Sequence, residues 1–278
     1  MTKMQVLAPA KINLSLKVLG RRNDGFHEIE TLIAPISLAD KIDIERQSRW
    51  IDFSCDDPTL PAGDENLVVR AAKAFFEKTK ISGGVTIKLQ KQIPHGAGLG
   101  GGSSDAAATL RALNQLFETN LSREELAKLG STIGSDVSFF FFESAAVCQG
   151  RGDVVNPTKL KEKLSILLLK PGFSVSSGWA YSRWHDSKEI PGISYQPQNF
   201  DGQDLVNDLE RPVFEKFVFL AQLKTWLLKQ AEVGAALMSG SGSTVFAITR
   251  SGADADLVAK RAHDQLDQEL WTCSAQTL

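Results

Sequence analysis

An α+β fold of two modules is what the residue pattern predicts, and three observations carry the prediction. The first third of the chain alternates apolar and polar residues in strand-length runs before a long helical stripe appears. Strands and helices then follow in blocks, not in the strict alternation of a parallel-sheet protein, and 278 residues is more than one compact core commonly uses. A polar stretch from Val155 to Lys163, with Asn156, Pro157 and a cluster of lysines and glutamate, sets a division at 157/158 and so predicts modules 1–157 and 158–278.

Taken in order, "KINLSLKVL" puts Ile12, Leu14, Leu16 and Val18 on one face and Lys11, Asn13, Ser15 and Lys17 on the other, as in a half-buried strand. "GRRNDG" supplies turn residues, "FHEIETLIAPI" the returning strand and "DKIDIERQ" a third, so the chain opens with antiparallel sheet. "NLVVRAAKAFFEKT" aligns Leu67, Ala71, Ala74 and Phe75 on one helical face, and "GVTIKLQKQI" alternates as a strand running into "PHGAGLGGGSSDAAATL". Beyond those glycines Ala106, Ala107, Leu110, Leu113 and Phe117 trace a helix capped at Ser103, Ser104 or Asp105. "SREELAKLGSTIG" is the next helix, with Ser122 and Glu125 in capping-box spacing and Gly130 near its end. "VSFFFF" reads as a buried segment and "SAAVCQGRGDVV" as a strand. The second module runs through strand "SILLLKPG", a helix near "SSGWAYSRW", a loop from Pro191 to Gly202, and helices "DLVNDLERPVFEKF" and "LAQLKTWLLKQA". It closes with strand, glycine turn and strand in "AALMSGSGSTVFAI", helix "ADADLVAKRAHDQL" and strand "LWTCSA".

Composition narrows the function classes. A net charge of -2 offers no excess for nucleic acid or anionic lipid. Cys55, Cys148 and Cys273 are far apart and no Cys-x-x-Cys or His-x-x-x-His spacing offers zinc, so reduced buried thiols of a cytoplasmic protein are expected. Lys11 and Asn13 interrupt "VLAPAKINLSL" before signal-peptide length, and "FFFF" is far too short to span a bilayer. Nothing in the sequence points to an oligomeric state.

The glycine run decides the chemistry. Gly96, Gly98 and Gly101 match the expression for a dinucleotide-binding turn, but the strand before them interleaves lysines and glutamines where a buried parallel strand would be apolar. Glu118, at the expected acidic position, closes a helix and not a second strand. A Walker loop fails because no Gly-Lys-Ser/Thr follows. A permissive bend before a helix remains open. The other surviving reading is an anion nest, in which the amides of Pro94–Ser104 and the first helical turn face phosphate, and a Cβ would block the approach.

"PHGAGLGGGSSDAA" resembles the nucleotide-binding motif of the GHMP kinases. "APAKINLSLKVLGRRNDGFHEIETL" at 8–32, "IGSDVSFFF" at 133–141, "KPGFSVSS" at 170–177, "NDLE" at 207–210 and "MSGSGSTVFA" at 238–247 resemble, in order, the branch of that superfamily acting on a cytidine-diphosphate-linked methylerythritol. The resemblance implies a two-domain GHMP kinase fold, with a first domain like domain 2 of ribosomal protein S5, a ferredoxin-like second domain, and the active site between them. It implies ATP as donor, Mg2+ as its companion, and a small-molecule acceptor phosphorylated on its 2-hydroxyl in the non-mevalonate isoprenoid pathway. The rivals are a GHMP kinase for homoserine or a mevalonate derivative, and a catalytically silent nucleotide-binding regulator of the same fold.

Residue by residue, the resemblance places ATP on Pro94, His95, Gly96, Ala97, Gly98, Leu99, Gly100, Gly101, Gly102, Ser103 and Ser104, with Ser104 either a magnesium- or phosphate-side hydroxyl or a helix cap. It makes Asp136 the base and Lys11 its electrostatic partner. Read alone, the first would be a turn cap and the second a solvated strand lysine. Phe26 and His27 correspond to the family's cytosine-reading Tyr-His pair, Phe keeping the stacking face without the hydroxyl, although an ordinary strand histidine is the bland alternative. Asn13, on the face of Lys11, is a substrate hydrogen-bonder. Ser177 and Tyr181 sit where family members close the acceptor pocket, though "SSGWAY" departs from the usual Pro-Thr-Pro. Gly240 and Gly242 belong to a loop that closes over the site or form a hairpin turn, and Ser138 stands where Pro is usual.

Overall fold

A computed structural model describes residues 2–278, which form two sheets with helices on their outer faces. The first sheet is built on a long antiparallel pair, β1 (Lys3–Arg21) and β2 (His27–Gln47). One half of β2 pairs with β4 (Gly84–Gln90), itself parallel to β3 (Ile51–Cys55), and the other half pairs with the hairpin β5 (Ala146–Gly150) and β6 (Val154–Pro157). Against its outer face lie α1 (Leu67–Thr79), α2 (Gly101–Leu116) and α3 (Arg123–Ser131), enclosing a core around Ile42, Ile44, Phe75, Leu110 and Phe139.

The second sheet is antiparallel in the order β10 (Val233–Met238), β11 (Val245–Thr249), β7 (Ser165–Lys170), β12 (Trp271–Gln276). Helices α4 (Ser177–Arg183), α5 (Glu210–Lys216), α6 (Val218–Leu227) and α7 (Ala255–Gln265) accompany it. A separate core, with Ile12, Leu14, Ile93, Leu168, Leu237 and Phe246, is shared by the two sheets. The apolar face of β1 is thus buried against the second module, as its alternation requires.

Several sequence expectations are corrected. "FHEIETLIAPI" and "DKIDIERQ" are one strand, because β2 absorbs the interruption as a bulge: Pro9 faces Ala39 while Lys11 faces Pro35. The "DLVN" start of a predicted helix is strand β9 (Gln203–Asn207), which pairs with β8 (Gln198–Phe200) from within the predicted loop and joins β1 of the first sheet in parallel. Its residues are drawn out of a helix by backbone partners on β1. "SAAVCQGRGDVV" is a hairpin and "VSFFFF" a 3₁₀ segment, Ser135–Phe141. The α1 core face is Val68, Val69, Ala71, Ala72 and Phe75, with Leu67 and Ala74 only partly buried. Ser122 and Glu125 do form a capping box. Of the thiols, Cys148 is buried while Cys55 and Cys273 are partly exposed. Among the described residues no helix is long and apolar enough to cross a membrane.

Candidate active site

A cleft of about 1240 Å³ opens between the modules, and the glycine run forms one wall. Helix α2 starts at Gly101 with Gly100 as its N-cap and no capping side chain, so the expected cap at Ser103, Ser104 or Asp105 is corrected. The first intrahelical amide bond is Ser104 N–H to Gly100 C=O at 2.9 Å, leaving the amides of Gly101, Gly102 and Ser103 at a positive helix end without intrahelical acceptors. Gly96, Gly98 and Gly100 all take positive φ. At Gly98 a Cβ would run into the Ser239 carbonyl, and at Gly100 it would lie 2.9 Å from Lys11 Cγ. The loop is stitched on both sides, by Lys11 N–H to Leu99 C=O at 2.9 Å and by Ser239 Oγ donating to Gly98 C=O at 3.0 Å. It is a fixed cradle, not a flexible joint.

Lys11 is buried on the polar face of β1, since that face looks into the cleft and not into bulk water. Its Nζ donates to Asn13 Oδ1 at 2.6 Å and lies 3.7 Å from Asp136 Oδ2. Asn13 Nδ2 in turn donates to Thr31 Oγ1 at 2.8 Å, and Thr31 to the Ser15 carbonyl. Burial lowers the Lys11 pKa, with Asp136 pulling the other way. Asp136 stands in the first turn of the 3₁₀ segment with its side chain 39% exposed, against 5% for Lys11. The carboxylate therefore faces the cleft with the cation behind it. Cys148, beneath the pair, is pushed up to about 12 by burial and by Asp136.

At the far end Phe26 is 48% exposed, an apolar ring offered to the cleft. His27 stacks on Tyr181 with centroids 5.4 Å apart and meets Trp184 edge-on at 6.3 Å. Burial, then the charge of Arg21, lowers the His27 pKa. Burial and then Asp136 raise the Tyr181 phenol. Ser177 and Ser241 share a 2.7 Å hydroxyl contact that joins α4 to the 239–244 loop.

Lys11, Asn13, Phe26, His27, Pro94–Ser103, Asp136, Ser177, Tyr181 and Gly240 all line this one cleft. Two expected residues stand behind its wall. Ser104 is 1% exposed with an unpartnered Oγ, and Gly242 backs onto Met238. Two features were not anticipated. Lys91 lies between Asp40 and Asp105, donating to Asp105 at 2.9 Å, while Asp40 accepts the amides of Gln92 and Ile93 at 2.6 and 2.8 Å. Arg151, at the tip of the β5–β6 hairpin, lines the cleft beside Phe26. The only sequence signals were the lysine leading into the loop and the Gly-Arg-Gly tripeptide.

Known proteins resemble this chain along most of its length. The family descriptions "GHMP kinases N terminal domain" and "GHMP kinases C terminal" match residues 66–144 and 198–268. The chain is 43% identical over 243 residues to a 4-diphosphocytidyl-2-C-methyl-D-erythritol kinase of Methylacidiphilum infernorum, covering 87% of this chain and 84% of that one. It is 41% identical to the protein of the same name from Thermodesulfovibrio yellowstonii, covering 90% and 91%. A crystal structure of 4-(cytidine 5'-diphospho)-2C-methyl-D-erythritol kinase superposes with a TM-score of 0.80 at 35% identity over 99% of both chains. Homoserine kinase from Cytophaga hutchinsonii superposes at 0.71 with 17% identity, covering 100% of this chain and 95% of that one, a likeness of fold alone.

Proposed function

The chain belongs to the GHMP kinase family, and on that premise we propose that its cleft carries phosphoryl transfer from ATP to the 2-hydroxyl of 4-diphosphocytidyl-2-C-methyl-D-erythritol. It is an ATP-dependent small-molecule kinase with the α+β two-domain fold of that family, and the named relatives place it in isoprenoid precursor synthesis. A cytoplasmic location goes with that role, and we keep 157/158 as the division between modules.

The observation that supports the reading is convergence. A glycine cradle, a Lys–Asp pair and an aromatic–imidazole pair, far apart in sequence, line the same cleft. Phosphoryl transfer needs phosphates held in place, an aligned hydroxyl and a partner for its proton. The loop amides and the start of α2 hold the phosphates. Asp136 accepts the hydroxyl proton, and Lys11 stabilises the negative charge that develops there. Asn13, fixed by Lys11 and Thr31, orients the hydroxyl, while Phe26 stacks on the base and His27 reads its edge.

For magnesium, the described residues hold no cluster of three His, Cys, Asp or Glu side chains. Ser104 offers an unpartnered buried hydroxyl at the cradle. Few protein oxygens beside a phosphate site suit a cation that keeps water and phosphate ligands. Ser104, its unpartnered Oγ lying just behind the glycine wall, would offer the protein oxygen, and the ion's charge would neutralise the phosphates.

A coupled ADP-release assay offering the cytidine compound, homoserine and mevalonate in turn tests the reading. Turnover confined to the cytidine compound is expected. Turnover of another acceptor in its place would overturn it.

A further inference from the structure

The acceptor is long: a base at one end, a reacting hydroxyl at the other, and a diphosphate between. The roles above put the base at Phe26 and His27 and the hydroxyl at Asp136. Whatever holds the diphosphate must therefore stand between those two places.

Arg151 stands there. It occupies the turn between β5 and β6, flanked by Gly150 and Gly152, both at positive φ. On one side its guanidinium carbon lies 5.2 Å from the centroid of the Phe26 ring. On the other, Gly152 packs so close to the catalytic carboxylate that a Cβ there would lie 3.8 Å from Asp136 Oδ1. The turn thus spans from the stacking ring to the base.

The side chain is also pre-set. Nε donates to Asp153 Oδ2 and Nη2 to the Ser131 carbonyl, both at 3.0 Å, with the side chain 30% exposed at the cleft. A guanidinium carries five N–H donors, so the remainder have no partner among the described residues. Of the other cleft cations, Lys11 is occupied by Asn13 and Asp136 and Lys91 by Asp40 and Asp105, while Arg21 lies at the base end, where its charge acts on His27. A fixed guanidinium fork with free donors is suited to bidentate phosphate recognition.

We propose that Arg151 binds the diphosphate of the acceptor, so that the Gly-Arg-Gly turn measures the distance from base to reacting hydroxyl and selects a nucleoside diphosphate over a nucleoside. The inference rests on the acceptor proposed above, and the test separates the two.

Cytidine and cytidine diphosphate are titrated calorimetrically into the wild-type protein and into Arg151→Gln, Arg151→Lys and Arg21→Gln. The wild type should bind the diphosphate more tightly than cytidine. Arg151→Gln should weaken the diphosphate by about tenfold or more, with cytidine changed by less than about twofold. Arg151→Lys, which keeps the charge and loses the fork, should fall between, and Arg21→Gln should retain the preference. If Arg151→Gln leaves the ratio of the two affinities at its wild-type value, or if Arg21→Gln abolishes it instead, the inference falls and the acceptor assignment stands. If the wild type binds neither compound, both fall.

Discussion

Lys11 and Lys91 reach the same cleft and are held in opposite ways. Lys11 has one carboxylate, at 3.7 Å and open to the cleft, and burial lowers its pKa. Lys91 touches two buried carboxyl groups, and although burial works against its charge, Asp105 and Asp40 overcome it and raise the pKa. A cation whose charge is matched inside the protein holds the fold together. One left short of counter-charge can still gain by meeting a negative transition state. Lys91 closes a clasp: Asp40 on β2 holds the backbone entering the glycine loop, and Asp105 on α2 holds the helix leaving it. Lys11 works inside the frame so fixed.

The largest effect should come from Asp136, because it alone pairs with the underused lysine. Asp136→Asn should lower kcat by at least ~100-fold, with the ATP dissociation constant changed by less than about twofold. Steady-state kinetics alongside nucleotide titration checks this, and a mild loss of rate would reduce Asp136 to a turn residue.

The clasp is broken from the other side by Lys91→Met. Asp40 would be left as an unpaired buried carboxylate against Asp105, with side chains 0% and 3% exposed, which should cost about 3 kcal/mol or more in urea unfolding. Loss of turnover without loss of stability would instead make Lys91 a reacting group.

A smaller effect sharpens the same contrast through pH. Burial, reinforced by Asp40 and opposed by Lys91, pushes Asp105 up from 3.8 to about 8. Between those values the native state keeps a proton that the unfolded chain has lost, so this group's contribution to stability falls as pH rises from about 4 to about 8. Asn mimics the protonated acid. Asp105→Asn should therefore flatten that slope across the window. An unchanged slope in unfolding midpoints measured over this range would show that Asp105 does not carry the proton.

These two lysines also mark what was legible in the sequence. Lys11 was found because it sits in a motif, on a strand whose alternation is plain, although that alternation alone would have left it in solvent. Its burial at 4% exposure depends on the cleft wall beyond it. Asp40, Lys91 and Asp105 lie on three separate elements, and nothing local in "LADK", "LQKQ" or "SSDA" says that they meet. The fold divides in the same way. Segments with a clear period, such as β4, α3 and the β10–β11 pair, stand as expected. "DLVN" became a strand because β1 offers it partners, and β2 runs unbroken because a bulge costs less than ending the ladder. Arg151 was hidden for a related reason, since only the packed hairpin brings it to Phe26.

The measurement that bears most directly on the contrast is a single-turnover phosphoryl-transfer rate for Lys11→Met, taken together with its urea unfolding curve. The rate should fall by about 100-fold or more, while stability stays level or rises because a buried, weakly paired charge is gone. A variant that keeps its rate but loses several kcal/mol of stability would show that Lys11, like Lys91, merely holds the structure together.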